Sequence, residues 1–441
     1  MIKKAINIGI AGYGTVGKGV VSLLQGKNTS LSQKAGAHLI LKRVCDSILD
    51  DAGKVGMYSK NLEDIFMDPS IDIFVELIGG YQPAKRLILL ALERGMDVVT
   101  ANKNVLAKDF GEILSAAKKA KRRVYFEASV CAGVPVIAAI NEGFCANKIS
   151  SITGILNGTT NYILSEMLRA DETLKKALST AQKLGYAESD PSLDIKGWDS
   201  ASKLAILSSI IFKSHISPGD IYVRGIENVE PIDLTLGGEF GYALKLFATM
   251  ETRYKDNLKK NDDYGEFDVI LNVSPGFVRQ SHPLANVDGA YNAVYLSTDA
   301  AGEQMLYGPG AGSLPAASAV VSDIVYSARH ILEASAQHMP FLELDGGRPV
   351  IADPGSLESS FYVRFTTVDK PGVLANIANI LANYQISISS VVQKKGGVPN
   401  AVPIVMLTHK AKLGNIEKAV TDIDSLKIVR KKSVIYRILE L

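Results

Sequence analysis

An aspartate and a lysine stand four residues apart near the middle of the chain, at Asp199 and Lys203 in the segment WDSASKLAILSS. The apolar residues that follow predict a helix, and residues four apart project from the same face of a helix. Reduction of a carbonyl places negative charge on its oxygen, so a cationic or acidic group must stand beside it. A positioned lysine can fill this role. The alternative is an exposed ion pair worth about 0.3–0.5 kcal/mol.

More carboxylates precede this predicted helix. Glu188 and Asp190 lie in the approaching loop, before the turn proline Pro191, and Asp194 follows in LDIKG. A cluster of acids would hold the ammonium group of an amino-acid substrate and leave Lys203 at the reacting oxygen. No histidine is placed to do this work, because the six histidines are scattered and show no metal-ligand spacing.

A glycine-rich loop near the start of the chain predicts a dinucleotide site. The segment GIAGYGTVGKGV has the GxGxxG spacing directly after a predicted strand and at the start of a predicted helix. Its glycines permit a tight turn, a close approach of the backbone to a pyrophosphate, and close packing of helix on strand. The loop consists of Gly12, Tyr13, Gly14, Thr15, Val16 and Gly17.

The end of the second predicted strand bears on the choice of coenzyme. Asp46 stands where a carboxylate would bind the ribose hydroxyls of NAD, whereas Arg43 and Lys42 would receive the 2′-phosphate of NADP. The sequence leaves both coenzymes open.

Two further strand ends carry polar residues. The segment TANK, residues 100–103, ends one predicted strand with Lys103, which is either a surface lysine or a group beside the cofactor. The segment FEASVCAGVP ends a later strand with Glu127 and small residues whose carbonyls stay reachable. These oxygens are ligands that suit a hard cation.

The elements that must position these residues change character along the chain. Over the first 130 residues, short apolar runs alternate with segments of helical period, which predicts βαβ units and a doubly wound, Rossmann-type parallel sheet. The middle of the chain mixes long helical and strand-like segments, and the last 85 residues read as a βαββαβ unit. We therefore predict an α/β protein with three domains: a dinucleotide-binding domain at residues 1–135 plus about 305–340, an α+β domain at 136–304, and a small domain at 355–441.

The bulk composition narrows the class of protein. The chain has 441 residues, of which 47% are hydrophobic and 21% charged, with a net charge of +2. This balance gives no reason to expect a nucleic-acid or membrane partner. The three cysteines, Cys45, Cys131 and Cys145, are few and widely spaced, which favours a reducing cytoplasm and no disulfide framework.

A longer motif resembles a known family. The run A-x3-G-Y-A-x2-D-P-x2-D-I-x-G-x-D-x3-K, from Ala181 to Lys203, is similar to the signature of homoserine dehydrogenases. NGTTNYIL (157–164), TANK, EASVCAG and YGPGAG (307–312) stand in the same order as in that family. The resemblance covers essentially the whole chain, and it implies that the α+β domain at 136–304 binds substrate and forms the dimer. No aspartate kinase segment precedes the glycine loop, so the chain resembles the monofunctional form.

The resemblance implies a reaction and roles for particular residues. The family interconverts L-aspartate 4-semialdehyde and L-homoserine with NAD(P), on the route to threonine, isoleucine and methionine. By match, Lys203 is the general acid and base, Asp199 is its partner, and Glu188 and Asp194 bind the substrate. Lys103 lies at the active site, near both substrate and nicotinamide.

The resemblance also implies ligand sites. Glu127 and the main-chain carbonyls of Val130, Ala132 and Val134 match the family's monovalent-cation site, usually sodium. Cys131 and Ala132 stand where small residues are more common in that family. The implied cofactor contacts are the glycine loop, residues 12–17, together with Arg43, Thr100, Lys103 and Gly308.

The C-terminal unit resembles an ACT domain, a fold that often binds an amino acid at a domain interface. Its strand-to-helix turn reads DKPGVL from Asp369, and L-threonine is the effector that the family implies. The alternative is a dimerisation module without a ligand. The effector residues implied are Asp369, Gly372, Val373, Leu374 and Asn376.

Two rival functions stay open at this point. One is a 2-hydroxyacid dehydrogenase with an ACT tail, although the histidine–carboxylate pair of that class is not evident. The other is a non-catalytic sensor of NAD(P) and amino acids, which would not require Asp199 and Lys203 together. For a homoserine dehydrogenase we expect a cytoplasmic homodimer or homotetramer.

Overall fold

Strands and helices largely alternate between Ala5 and Tyr125 in the computed structural model, as the sequence pattern predicts. The structure describes residues 5–47, 57–254, 267–333, 344, 346–394 and 401–441. The far end of the predicted segment 305–340 therefore lies partly outside the described residues.

The strands, numbered in chain order, are β1 Ala5–Ala11, β2 His38–Cys45, β3 Tyr58–Ser59, β4 Ile73–Glu76, β5 Asp97–Thr100, β6 Val124–Tyr125, β7 Ile149–Ile155, β8 Tyr222–Val223, β9 Tyr242–Tyr254, β10 Phe267–Arg279, β11 Tyr291–Thr298, β12 Glu303–Pro309, β13 Val350–Ile351, β14 Glu358–Thr367, β15 Ile388–Gln393, β16 Val402–Thr408, β17 Ala411–Lys412 and β18 Val429–Leu439.

The helices are α1 Thr15–Gly26, α2 Asn28–Ala35, α3 Glu63–Phe66, α4 Ala84–Glu93, α5 Lys103–Ala120, α6 Val136–Ala138, α7 Gly158–Ala170, α8 Leu174–Lys183, α9 Ser192–Ile195, α10 Trp198–Phe212, α11 Pro231–Glu239, α12 Ser313–Leu332, α13 Val373–Asn383 and α14 Leu413–Asp424. No helix in the described part of the chain combines the length and the apolar character needed to cross a membrane.

Contacts group the chain into two compact units. The first contains residues 1–150, 202–219 and 291–349, and the second contains 151–201, 220–290 and 350–441. The sequence instead predicts three domains, whose boundaries stay a prediction.

The first unit is built on a parallel sheet with the strand order β3-β2-β1-β4-β5-β6. The register aligns the last residues of four neighbouring strands, because Ala11 pairs with Cys45 and with Glu76, and Glu76 pairs with Thr100. Their carboxyl ends therefore form one edge, the edge at which doubly wound sheets bind ligands. The predicted Rossmann-type α/β class is confirmed.

One side of this sheet is covered by helices from distant parts of the sequence. Buried residues of β1, α1 and α12, among them Ile8, Val20 and Ile324, belong to one core cluster. Helices α1 and α12 approach closely at Gly19, where an added Cβ would lie 2.8 Å from Ser313 Oγ and 2.9 Å from Ala317 Cβ. Helix α12, which follows YGPGAG, therefore packs on the first helix of the dinucleotide fold.

The second unit holds a mixed sheet with the order β7-β9-β10-β18-β14-β16-β15. Its C-terminal part has the predicted βαββαβ order, with a core formed by α13, α14 and the strands beneath them. The last strand, β18, pairs in parallel with β10 from Gly276–Arg437 to Val278–Leu439. The C-terminal unit thus continues the sheet of the central strands, a junction that the sequence pattern does not predict.

Candidate active site

The glycine loop has the geometry of a phosphate-binding turn. Gly12 has φ +103°, and a Cβ there would lie 2.5 Å from the Leu77 carbonyl carbon and oxygen. A Cβ on Gly17 would lie 2.1 Å from the Gly12 carbonyl oxygen, whereas no described atom lies within 4 Å of a Cβ on Gly14. Gly14 immediately precedes α1, and no described side chain caps that helix. The loop therefore presents open space at the positive end of a helix, which fits an anionic pyrophosphate.

The second strand brings its carboxylate to this loop. Asp46 Oδ2 accepts a hydrogen bond from the Tyr13 backbone N–H at 2.6 Å. The Tyr13 ring packs edge-on against Tyr58, with a centroid separation of 5.5 Å. Arg43 is half-buried and Lys42 is exposed on the same strand, where neighbouring residues point to opposite faces. One oxygen of Asp46 is thus used to shape the loop.

A buried glutamate organises the neighbouring strand ends. Glu76, fully buried at the end of β4, accepts the Thr100 hydroxyl at 2.6 Å through Oε2 and the Ile78 N–H at 2.9 Å through Oε1. Burial raises the pKa of Glu76, while these donors oppose the increase. Sequence reasoning missed Glu76, although a carboxylate closing the apolar run IDIFVE was a signal. The side chain of Thr100, which is predicted to contact the cofactor, is therefore held in place by Glu76.

Lys103 is the first residue of α5 and is half-buried. The preceding Asn102 caps that helix, because its Oδ1 accepts the Val105 N–H at 3.2 Å. The Asn102 amide also donates to the Gly80 carbonyl at 2.7 Å. The start of α5 is therefore fixed to the loop after β4.

The predicted cation segment begins at a buried carboxylate. Glu127 accepts the Ile137 N–H at 2.8 Å and the Ala138 N–H at 2.7 Å, one through each oxygen. Burial raises the pKa of Glu127 to about 7. Cys131 and Ala132 adopt left-handed backbone, with φ +57° and +47°, a conformation that is uncommon for residues other than glycine.

Some backbone carbonyls of the predicted cation segment already accept hydrogen bonds from nearby backbone N–H groups. Val134 O accepts the Val136 N–H at 2.8 Å, and Val130, Ala132 and Val134 are all buried. In the described part of the chain, no group of three or more histidine, cysteine, aspartate or glutamate side chains is arranged to hold a metal ion. A cation here would therefore depend on main-chain oxygens.

Asp323 of α12 is a second buried carboxylate in this region that sequence reasoning missed. Its Oδ2 accepts the Glu127 backbone N–H at 2.9 Å. Burial, followed by the charge of Glu127, raises its pKa well above the usual range. Its sequence signal was a charge inside the apolar face of VVSDIV.

The predicted acid–base pair lies at the start of α10. Asp199 is 5% exposed and Lys203 is 8% exposed, and the two stand four residues apart on this helix. An exposed surface ion pair, the alternative interpretation, does not match this burial. Asp199 and Lys203, the charged residues at the end of the acidic segment, are therefore part of a core helix and are buried with it.

A residue that sequence reasoning missed joins the carboxylates. The Asn157 amide nitrogen donates to Asp194 Oδ1 at 2.6 Å and to Asp199 Oδ2 at 2.7 Å. Asn157 begins the motif NGTTNYIL and caps α7, which was its only signal in the sequence. Asn157 therefore links Asp194 in α9 with Asp199 in α10.

The other acids of the stretch lie further out. Glu188 and Asp190 are both exposed. Asp190 Oδ1 accepts the Ser192 N–H at 3.1 Å at the start of α9, so its carboxylate serves the local turn. Glu188 is not part of the hydrogen-bonded group around Asn157.

The segment YGPGAG leads directly into α12. A Cβ on Gly308 would lie 3.2 Å from Val134 Cγ2, and Gly312 has φ +122°. The Ser313 hydroxyl donates to the Thr15 carbonyl at 2.6 Å, which ties this segment to the glycine loop.

The predicted effector turn is an exposed corner of the C-terminal unit. Gly372 precedes α13 with φ +85°, and Val373 is buried beneath it. Asp369 and Asn376 are exposed, and Leu374 is 43% exposed.

Comparison with known proteins decides the family. Models of the homoserine dehydrogenase NAD-binding domain, of homoserine dehydrogenase and of the ACT domain match residues 12–127, 135–325 and 361–427. A homoserine dehydrogenase from Neisseria gonorrhoeae is 36% identical over 440 residues, with 98% of each chain covered.

The chain belongs to the homoserine dehydrogenase family.

Solved structures agree with this assignment. A homoserine dehydrogenase from Thiobacillus denitrificans has a TM-score of 0.91 and 37% identity, with 99% of each chain covered. A hyperthermophilic archaeal homoserine dehydrogenase in complex with NADPH has a TM-score of 0.61 and 25% identity, covering 76% of this chain and 99% of that one.

Family membership confirms the predicted resemblance and the predicted activity class, an NAD(P)-dependent oxidoreductase with a C-terminal ACT domain. It also decides against a 2-hydroxyacid dehydrogenase and against a sensor. The roles of individual residues, the cation and the effector stay predictions.

Proposed function

We propose that the chain interconverts L-aspartate 4-semialdehyde and L-homoserine, with Lys203 as the general acid and base. The observation that carries this proposal is the burial of Lys203 and Asp199 on one helix, with Asp194 joined to Asp199 through Asn157. A bound nicotinamide dinucleotide supplies the hydride. The Lys203 ammonium donates a proton to the developing alkoxide, and its neutral amine accepts that proton in the reverse direction.

The carboxylates bind and orient the substrate. Asp199 and Asp194 attract its ammonium and hydroxyl groups, and Glu188 contributes from the exposed loop. Lys103 at the start of α5 lies beside the substrate and the nicotinamide. Charged groups that are partly withdrawn from water interact more strongly than they would at the surface, which supports recognition of a zwitterionic substrate.

The cofactor site consists of the glycine loop, residues 12–17, together with Arg43, Thr100, Lys103 and Gly308. The open space at Gly14 and the uncapped start of α1 support pyrophosphate binding. Asp46 favours NAD and Arg43 favours NADP, so the proposed coenzyme is NADP or NAD.

We further propose a monovalent-cation site, occupied by sodium, at Glu127 and the carbonyls of Val130, Ala132 and Val134. The left-handed backbone at Cys131 and Ala132 supports this proposal because it bends the segment that carries these carbonyls. The anionic form of Glu127 supplies charge for the cation.

The ACT domain binds L-threonine as a feedback effector at the turn formed by Asp369, Gly372, Val373, Leu374 and Asn376. The exposure of this turn supports access by a free amino acid. The enzyme is a cytoplasmic homodimer or homotetramer with no nucleic-acid or membrane partner. A threonine titration that follows rate and oligomer size tests these points, and no effect at millimolar threonine would remove the effector.

The deciding experiment is a steady-state assay of aspartate semialdehyde reduction with NADPH and with NADH. Lys203→Met keeps an apolar stem in the buried site and removes the amine, so kcat falls about 10²–10⁴-fold. Lys183→Ala, at an exposed lysine of α8, is the matched control and keeps wild-type turnover. Wild-type turnover in Lys203→Met would overturn the proposal.

A further inference from the structure

The Asn157 side chain uses both of its N–H donors and its amide oxygen within the candidate site. Its Oδ1 accepts the Thr160 backbone N–H at 2.7 Å, and its nitrogen donates to Asp194 at 2.6 Å and to Asp199 at 2.7 Å. A backbone N–H can be met only by the amide oxygen, so this contact fixes which end of the amide faces the carboxylates. With 4% exposure, the side chain is held in one orientation.

The backbone beneath Asn157 is equally constrained. A Cβ on the next residue, Gly158, would lie 2.8 Å from the Ala290 carbonyl oxygen, so the start of α7 packs tightly on that loop. The amide of Asn157 therefore projects from a fixed support.

Two carboxylates that meet at one point repel each other, and the repulsion favours protonation of one or rotation away. The Asn157 N–H₂ group opposes both outcomes because each of its protons is shared with one carboxylate. A charge-assisted hydrogen bond of this kind is stronger than a neutral one.

We propose that Asn157 is a positioning residue, whose amide holds Asp194 and Asp199 charged and correctly oriented for the substrate. The inference rests on the proposed roles of the two aspartates. Asn157 does not itself exchange a proton. It sets the direction of the carboxylates, and a misplacement of about 1 Å in such groups costs about 100-fold in rate.

Two variants separate this role from helix capping. Asn157→Ser keeps a residue that caps helices well and adds no charge, whereas Asn157→Asp keeps the size and the cap but replaces both donors with a third carboxylate. We expect kcat/KM for homoserine to fall about 100-fold in both. In Asn157→Asp we also expect the acidic limb of the pH profile to move to higher pH, because the added charge favours protonation.

Asn161→Ser is the matched control. It also loses two amide hydrogen bonds in α7, but these go to backbone carbonyls of residues 287 and 289. Its Tm falls, whereas kcat/KM stays within about threefold of wild type and the pH profile does not move.

The outcomes distinguish this inference from the proposed function. If Asn157→Ser and Asn157→Asp lose stability as Asn161→Ser does but keep the wild-type kcat/KM and pH profile, Asn157 is only a helix cap and the inference fails. Inactivity of Lys203→Met in the same series would leave the proposed function standing. Full activity of Lys203→Met would instead remove the proposed function.

Discussion

Arg364 of β14 and Asp233 of α11 form a buried two-point ion pair, with Nε 2.6 Å from Oδ1 and Nη2 3.0 Å from Oδ2. The two residues are 2% and 0% exposed. The Tyr362 hydroxyl donates to Asp233 Oδ1 at 3.0 Å, and Arg364 Nη2 also donates to Glu230 at 2.8 Å. The pair therefore joins the first strand of the C-terminal unit to a helix of the central segment.

Removal of the Asp233 charge leaves the buried Arg364 guanidinium with only the carboxylate of Glu230, which is 34% exposed. We expect Asp233→Asn to destabilise the protein by about 3–5 kcal/mol, measured as a lower midpoint of urea unfolding. Glu239→Gln is the matched control, because Glu239 pairs with Lys394 where the side chains are 49% and 43% exposed. Its cost should stay below about 1 kcal/mol. Equal losses of stability in Asp233→Asn and Glu239→Gln would show that the buried ion pair stabilises the protein no more than the exposed one.

Substitutions in the glycine loop should separate effects on coenzyme binding from effects on stability. Gly14→Ala adds a methyl group where no described atom lies within 4 Å, and its φ of −74° suits alanine. We expect an unchanged Tm but at least about tenfold weaker binding of NADPH or NADH, because the methyl group enters the pyrophosphate space.

Gly17→Ala and Gly26→Ala complete this series. A Cβ at Gly17 would overlap the Gly12 carbonyl, so the first variant should lose stability as well as binding. Gly26 is open and lies at the far end of α1, so the second should bind normally. Normal coenzyme affinity in Gly14→Ala, measured by titration calorimetry, would contradict the assignment of the loop.

Sodium should stabilise the protein through Glu127. Because burial raises the pKa of this carboxyl to about 7, protons compete with a cation below that pH, and the stabilisation should be larger at pH 8 than at pH 6. The measurement is Tm against sodium chloride, with choline chloride as the matched salt. In Glu127→Gln the difference between the salts should disappear. An undiminished sodium effect in that variant would place the cation elsewhere.

Lys245 should make the free energy of unfolding depend on pH in the alkaline range. Its ammonium donates to the Val287 carbonyl at 2.6 Å, and burial lowers its pKa from 10.5 to about 8. Between these values the unfolded chain binds more protons than the folded protein, so stability rises with pH. Below about pH 8, Lys245 is protonated in both the folded and the unfolded state. Burial of its charge then destabilises the folded protein to the full extent.

Lys245→Met should therefore be more stable than wild type at pH 7. Its advantage should shrink between pH 8 and 10.5 by roughly 1.4 kcal/mol per pH unit. Denaturant midpoints measured across this range test the difference. Lys176→Met, at a lysine that is 69% exposed, is the control and should show no such trend. A constant difference between Lys245→Met and wild type would rule out titration of Lys245.

Much of the first unit could be predicted because its signals are local. Within the GxGxxG loop, a Cβ at Gly17 would overlap the Gly12 carbonyl only five residues away, and the alternation of periods predicts a parallel sheet. The i,i+4 spacing of Asp199 and Lys203 likewise places both groups on one helix face before any tertiary contact is known. The acids before that helix were less predictable, since Asp194 joins the buried group whereas Asp190 caps a turn.

The sequence by itself determined the fold class, the family and the types of reactive group, because periodicity and motif spacing are properties of neighbouring residues. Only the tertiary structure decided that Asn157 meets Asp194 and Asp199, that Asp323 meets Glu127, and that β18 extends the central sheet beside β10. These partners are separated by tens to hundreds of residues. Their approach follows from packing and register, which depend on the whole folded chain.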